Sequence, residues 1–244
     1  MSGTVSAPPR HDAVHVELWG NVVQVLGWIV IFVLASIVII PAAWVLAAIG
    51  RWFCRELHFS DGRKASFTGQ GGEILGWWVL WSLAGAFRHS VGHIGLFSIN
   101  VIGIDAGVSQ NGNLVVSIAQ WLLGLWAGWQ IIRWCIEHVE FDNGEHFTFE
   151  GGYWPFAGWE TWVGVLGITV IGWAWGLAAM CRWMAEETRS AESTLRFWGL
   201  GHQILWRSVV LVLLCILIIP IPWACLWYTQ WTVQNVTIEA RQTN

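Results

Sequence analysis

Charge-free apolar stretches set the first division of this chain. No Asp, Glu, Lys or Arg occurs from Leu18 to Gly50, from Thr161 to Cys181 or from Ser208 to Ile238. The first run contains VLGWIVIFVLASIVII, ending at Pro41, and the last contains VVLVLLCILIIP. About 20 apolar residues suffice for a helix that crosses a bilayer, so these runs, together with Leu114–Ile132, are expected to span a membrane. Ile74–Phe87 (ILGWWVLWSLAGAF) offers only 14 residues before Arg88 and suits a short or re-entrant segment as well as a span. Five membrane segments are expected, or four if Ile74–Phe87 does not cross. Gly92–Val116 alternates apolar and polar positions and holds Asn111-Gly112, consistent with a hairpin or structured loop. The opening MSGTVSAPPRHDAVH lacks the basic start and apolar core of a signal peptide and reads as a polar tail, residues 1–16.

The remaining 17–240 form one domain built from a repeat. Trp44, Trp126 and Trp175 are each followed seven residues later by Arg-Trp (Arg51, Arg133, Arg182), and Trp223 by Gln230-Trp231. An F-x-G follows 15 or 16 residues after each arginine, at Phe67, Phe149 and Phe197. Self-similarity at a near-fixed period marks a repeat architecture, with units of about 17–70, 71–152 (carrying an inserted loop 88–113), 153–199 and 200–240. Each unit reads as a helix, a break (Pro41, Gly172, or Pro220 and Pro222), a second helix with Trp and Arg on one face, and a strand–turn–strand. Asp61-Gly62 and Asn143-Gly144 supply the turns. Trp at headgroup level with Arg just beyond it is the usual anchor at a membrane edge. The other reading of Trp44, Arg51, Trp126, Arg133, Trp175, Arg182, Trp223 and Gln230 is a ring of stations around a pore or cleft, which Gln230 would interrupt.

Composition sharpens the picture. Of 244 residues, 55% are apolar and only 11% charged, whereas about 25% is ordinary for a soluble domain. Tryptophan reaches 22 against 2 tyrosines. The net charge of −4 and a single Lys exclude a polybasic surface, so no nucleic-acid partner is expected. The five cysteines lie in or beside apolar runs without C-x-x-C spacing and read as small buried hydrophobes. His89 and His93 stand at i, i+4, a ligand-compatible spacing, but no third ligand lies nearby. Glu73 and Glu160 stand near helix starts, where acids complement the dipole. These two, with His202 and Arg207, are the candidate polar sites inside the membrane, where ionisable groups are functional by default. Glu56, Glu137 and Glu186 fall within helical reach of Arg51, Arg133 and Arg182. No Walker, G-x-S-x-G, H-E-x-x-H or haem motif occurs, so neither an enzyme nor a cofactor is expected.

The helix start FTGQGGEILGW at Phe67–Trp77 and the stretch Pro41–Arg63, with its Pro before the second helix and its Asp-Gly turn, resemble the bacterial membrane proteins grouped as domain of unknown function 898, the YjgN-like family. The resemblance covers about residues 40–235. It implies a multi-pass fold in the bacterial inner membrane and no particular chemistry. This chain departs from it in carrying one or two arginines where that family has a basic cluster.

The expectation is therefore an all-α integral membrane protein of four tandem helix–hairpin repeats with short interfacial β-hairpins. Its expected role is non-enzymatic. It would oligomerise as a pore or as a structural subunit of a larger membrane assembly, with membrane lipids as partners. A transporter or lipid-handling protein with a site between repeats is the alternative.

Overall fold

Ile39 turns the longest charge-free run back on itself. In the computed structural model, which describes residues 13–84, 114–169, 171–217 and 220–240, Ile39 has φ of 65° and separates two helices of 17 residues, α1 (Val22–Val38) and α2 (Ile40–Glu56). The Asn21 side chain caps α1 by accepting from the Val23 amide at 2.9 Å. Pro41 opens α2, where its missing N–H costs nothing. The far ends of the two helices are held side by side. Strand β1 (Val14–Leu18), which begins inside the polar opening, pairs antiparallel with β2 (Leu57–Phe59). The run from Leu18 to Gly50 is thus a helical hairpin that returns to the side it left.

The same strand–helix–helix–strand unit occurs three more times. The second is β3 (Ala65–Phe67), α3 (Gly71–Leu83), α4 (Leu114–Glu137) and β4 (Val139–Phe141). The third is β5 (Thr148–Phe149), α5 (Tyr153–Gly167), α6 (Trp173–Glu187) and β6 (Thr188–Arg189). The fourth is β7 (Ser193–Phe197), α7 (Gly201–Ile216), α8 (Ile221–Gln234) and β8 (Val236–Ala240). One hydrogen bond recurs at every strand-to-helix junction. The amides of Trp19, Thr68, Glu150 and Trp198 donate to the carbonyls of Glu56, His138, Glu187 and Asn235 at 3.1, 3.0, 2.9 and 2.9 Å.

The units close into a ring. Each helix packs on its neighbours in sequence, and α8 packs on α1. The strands follow the same cyclic order: β2-β1-β8-β7-β6-β5 form one antiparallel sheet and β3-β4 a second. The register of β8 on β1 (Val14↔Ile238, His15↔Thr237) joins the last unit to the first. Between the strands and the lower helix turns lies an aromatic core of Phe59, Phe67, Phe141, Phe147 and Trp134, with Leu18 and Ile238. Phe59 meets Phe141 edge-on at 5.2 Å and Phe67 meets Trp134 at 5.1 Å.

Two expectations are corrected. The all-α multi-pass membrane fold is replaced by a mixed α/β fold. Among the described residues no helix is long and apolar enough to cross a membrane, which also removes the basis for an inner-membrane, multi-pass location. The physical reason is the fold-back: the three charge-free runs are each divided between two helices, while Leu114–Ile132 stays within α4, whose sequence interleaves Gln, Trp and Gly with its apolar residues. Of the expected β-hairpins, the one after Arg182 forms, with β6 pairing β7 at Arg189↔Thr194, and the two at the Asx-Gly turns are replaced. Asp61-Gly62 and Asn143-Gly144 do form turns, with Gly62 and Gly144 at φ of 82° and 80°, where glycine is favoured. The strands they join pair elsewhere, β2 with β1, β3 with β4 and β5 with β6. The hairpin turn expected at Asn111-Gly112 lies outside the described residues.

Candidate functional site

Among the described residues most charges gather at the strand end of the units. Asp61, Arg63, Lys64, Glu140, Glu145, Glu150, Arg189, Arg196 and Glu239 belong to the strands and their connections. The helices expose apolar side chains along their outer faces: Val30, Val33 and Leu34 on α1, Trp162 and Val165 on α5, and Val209, Val212 and Leu213 on α7. Exposure at or beside the hairpin turns is high, and it is matched at the strand end by Val23 (72%) and Trp154 (74%). Ile37 is 74% accessible, Ile168 and Ile216 70%, and Leu83 at the end of α3 71%.

The W-x6-[R/Q]-W stations sit on the second helix of each hairpin. Trp44, Trp175 and Trp223 are about half exposed near the turns. Trp126 is less so and meets Trp77 edge-on at 4.7 Å. Trp44 and Trp175 lie against the glycine that starts the next unit's helix. A Cβ on Gly71 would stand 2.6 Å from the Trp44 Cα, and one on Gly201 2.9 Å from that of Trp175. After Trp126 the corresponding place holds Tyr153, whose hydroxyl donates to the Leu122 carbonyl at 3.1 Å. The next positions stitch neighbouring units. Arg51 donates to the Gly69 carbonyl at 3.1 Å, and Gln230 donates to the Leu18 carbonyl across the ring closure at 3.1 Å. The Gly151 carbonyl, equivalent to that of Gly69, accepts from the Trp129 indole at 2.9 Å. Arg133 pairs with Glu137 at 2.7 Å, and Arg182 bonds to its own helix at the Ala178 carbonyl, 3.2 Å away. The other two acids within reach, Glu56 and Glu186, form no such pair with Arg51 or Arg182.

Glu73 closes the start of α3 in a capping box and accepts the Trp134 indole N–H at 3.0 Å, with His138 Nε2 at 3.2 Å. The Trp134 and Gln70 donors hold its carboxyl below the usual range. In the first unit Gln24 plays the same part for Trp52, at 3.1 Å. Glu160, on α5, has no hydrogen bond or ion pair among the described residues, and burial pushes its carboxyl up. His202 is exposed in the first turn of α7.

Arg207 is different. Its guanidinium carbon lies 4.4 Å from the ring centroid of Trp231, 4.5 Å from that of Trp206 and 5.6 Å from that of Trp227. Its Nε is enclosed and without an acceptor, and its Nη1 has only the Gln203 carbonyl at 3.5 Å. No acid pairs with it among the described residues.

Two features escape the sequence reading. One is the Arg63–Glu145 pair, at 2.7 Å across the turns of neighbouring units, with Asp61 also on Arg63. Burial would raise the Glu145 carboxyl, but Ser190, Ser193, Asn143 and Arg63 together hold it low. No spacing rule links residues 82 apart. The other is legible once the units are aligned on their strand ends. Ten residues after Leu18, Phe67 and Phe149 stand Trp28, Trp77 and Trp159, and ten after Phe197 stands Arg207. The fourth unit thus carries Arg on its first helix where the others carry Trp, and Gln on its second where the others carry Arg.

Among the described residues no group of three His, Cys, Asp or Glu side chains is placed to hold a metal. His89 and His93 lie outside the described residues. Burial pushes the Cys54 and Cys181 thiols to about 11 and Cys135 to about 12, far from nucleophilic range. Among the described residues the arrangement offers a ring of largely apolar hairpins on a charged base, with the Arg207 cation enclosed by three indoles. Comparison with family models, curated proteins and solved structures finds no match for this chain, so the resemblance to the YjgN-like proteins rests on its motifs alone.

Proposed function

We propose that the chain is a non-catalytic lipid-binding protein whose four helical hairpins enter the acyl region of a single lipid leaflet while its strands and charged loops stay in water. One observation carries this reading. Among the described residues, exposed apolar side chains run along the helices of all four hairpins, with Ile37, Leu83, Ile168 and Ile216 at or beside their turns, and most charges gather at the strand end. Contiguous exposed apolar surface beyond a few hundred Å² marks an interaction site. A folded partner covers one face of such a surface, whereas acyl chains wet every side of a ring. Helix length supports the same reading. Apart from α4, the helices have 13–17 residues, about 20–25 Å at 1.5 Å per residue. That is about half of a bilayer of roughly 40–45 Å including its headgroups. A pore or transporter needs a path across the bilayer, and no helix among the described residues is long and apolar enough to cross one.

The test is flotation of the purified chain with vesicles of phosphatidylcholine in a density gradient. The expected result is co-flotation that persists in 1 M salt, because the contact is apolar and unscreened. A chain that stays in the aqueous fractions as a defined oligomer would cover its apolar surface with its own copies, and the lipid reading would fail.

A further inference from the structure

We propose that Arg207 and its tryptophan cage form a binding site for the phosphate of a lipid headgroup, present in the fourth unit alone. This rests on the lipid reading above.

The argument begins with what the repeat does elsewhere. At the place of Arg207 the first three units have Trp28, Trp77 and Trp159, apolar groups that suit an apolar surrounding. Their cations lie on the second helix and are already used: Arg51 on a carbonyl, Arg133 on Glu137, Arg182 on its own helix. In the fourth unit the second-helix position is Gln230, also used, on the Leu18 carbonyl. The charge has moved to the first helix and is not used. A guanidinium offers five N–H donors, and Arg207 meets one carbonyl, at the edge of hydrogen-bond range.

The surroundings explain how this cation is held and what it awaits. Indole faces attract a cation electrostatically without consuming its donors. The ring centroids of Trp206 and Trp231 lie about 4.5 Å from the guanidinium carbon and that of Trp227 5.6 Å from it. Low-dielectric walls strengthen the hydrogen bond of such a group to an anion. A guanidinium matches two oxygens of one phosphate at once. The position fits a headgroup as well. Arg207 is the seventh residue of α7, within the two turns nearest the charged base. The stations Arg51, Arg133 and Arg182 lie within the last two turns of their helices, at the same end of their hairpins.

The experiment compares the wild type with Arg207→Gln and Arg207→Lys on two vesicle types. One is phosphatidylglycerol; the other is a galactolipid, which has no phosphate. A third arm adds soluble glycerol phosphate to the first. Wild type is expected to bind phosphatidylglycerol about tenfold more tightly than Arg207→Gln, the scale of one charged hydrogen-bonding group. Arg207→Lys should lie between them, because it keeps the charge and loses the fork. On galactolipid the three proteins should bind alike. Equal weakening on both lipids would make Arg207 a packing residue and overturn the proposal, as would equal binding of all three to phosphatidylglycerol. Competition by millimolar glycerol phosphate would assign the site to a free phosphate and overturn the headgroup source. If the wild type binds neither vesicle, the lipid reading itself falls, an outcome distinct from the others.

Discussion

A methyl group on Gly71 would stand 2.6 Å from the Cα of Trp44, and the fourth unit repeats this contact between Gly201 and Trp175. The backbone of a helix in one unit therefore rests directly on the first residue of a helix in the next. Gly71→Ala and Gly201→Ala are each expected to destabilise the fold by about 1–3 kcal/mol through overpacking. Gly72→Ala serves as the control, since nothing lies within 4 Å of its Cβ position. It should be neutral or slightly stabilising, as alanine favours a helix interior. Denaturant midpoints of the three variants check this.

Acid should loosen the charged base. Glu73 and Glu145 both have carboxyl pKa values below those of the unfolded chain, about 4.3. The unfolded chain therefore binds the proton more readily. The stability they contribute is complete above about pH 5 and is lost as pH falls through their lower folded values. Melting temperature should fall below about pH 4, and Glu145→Gln should reduce that dependence while lowering stability at pH 7. A melting curve of Glu145→Gln as steep in pH as wild type would contradict this account.

Glu73 accepts from the Gln70 amide and the Trp134 indole and stands beside His138, so its substitutions should separate. Glu73→Gln keeps an acceptor for the Trp134 indole and for the Gln70 amide and should cost under about 1 kcal/mol. Glu73→Ala removes both and should cost about 1–2 kcal/mol. Thermal melts at pH 7 distinguish the pair.

The hairpin turns carry the lipid reading without supporting the fold. Ile37 and Ile216 are 74% and 70% exposed. Ile37→Asp and Ile216→Asp together are expected to abolish vesicle co-flotation, because a charge in acyl chains costs about 2.5 kcal/mol or more. The melting temperature without vesicles should change little. Retained flotation would place the turns outside the lipid.

The repeat was legible in the sequence because a strand end, a glycine and a tryptophan recur at constant offsets, and the structure gives each unit the same strand–helix junction bond. The fold-back was not. Its turn in the first unit is made by Ile39, a β-branched residue at positive φ, where Gly or Asn is the ordinary signal. With no such signal, 33 uncharged residues from Leu18 to Gly50 read as a crossing. Strand pairing was hidden for another reason. Asp61-Gly62 and Asn143-Gly144 are sound turn dipeptides, but a turn fixes only where the chain reverses. The partner of each strand is chosen by the helical hairpin that brings its two ends together. Of the candidate residues, Arg207 was visible as a charge near an apolar run, but the cage that gives it meaning comes from Trp227 and Trp231 on the returning helix.

The pairing of β8 with β1 also has a consequence for biosynthesis. Because β8 is translated after the four hairpins, β1 leaves the ribosome early with one sheet edge open, and that edge stays open until Val236–Ala240 arrives. An exposed strand edge is a template for pairing with another chain. Nascent chains crowded on one message should therefore be most prone to exchange strands in the interval before the last unit is made, and slowing translation within codons 200–235 should raise the yield of strand-swapped dimers.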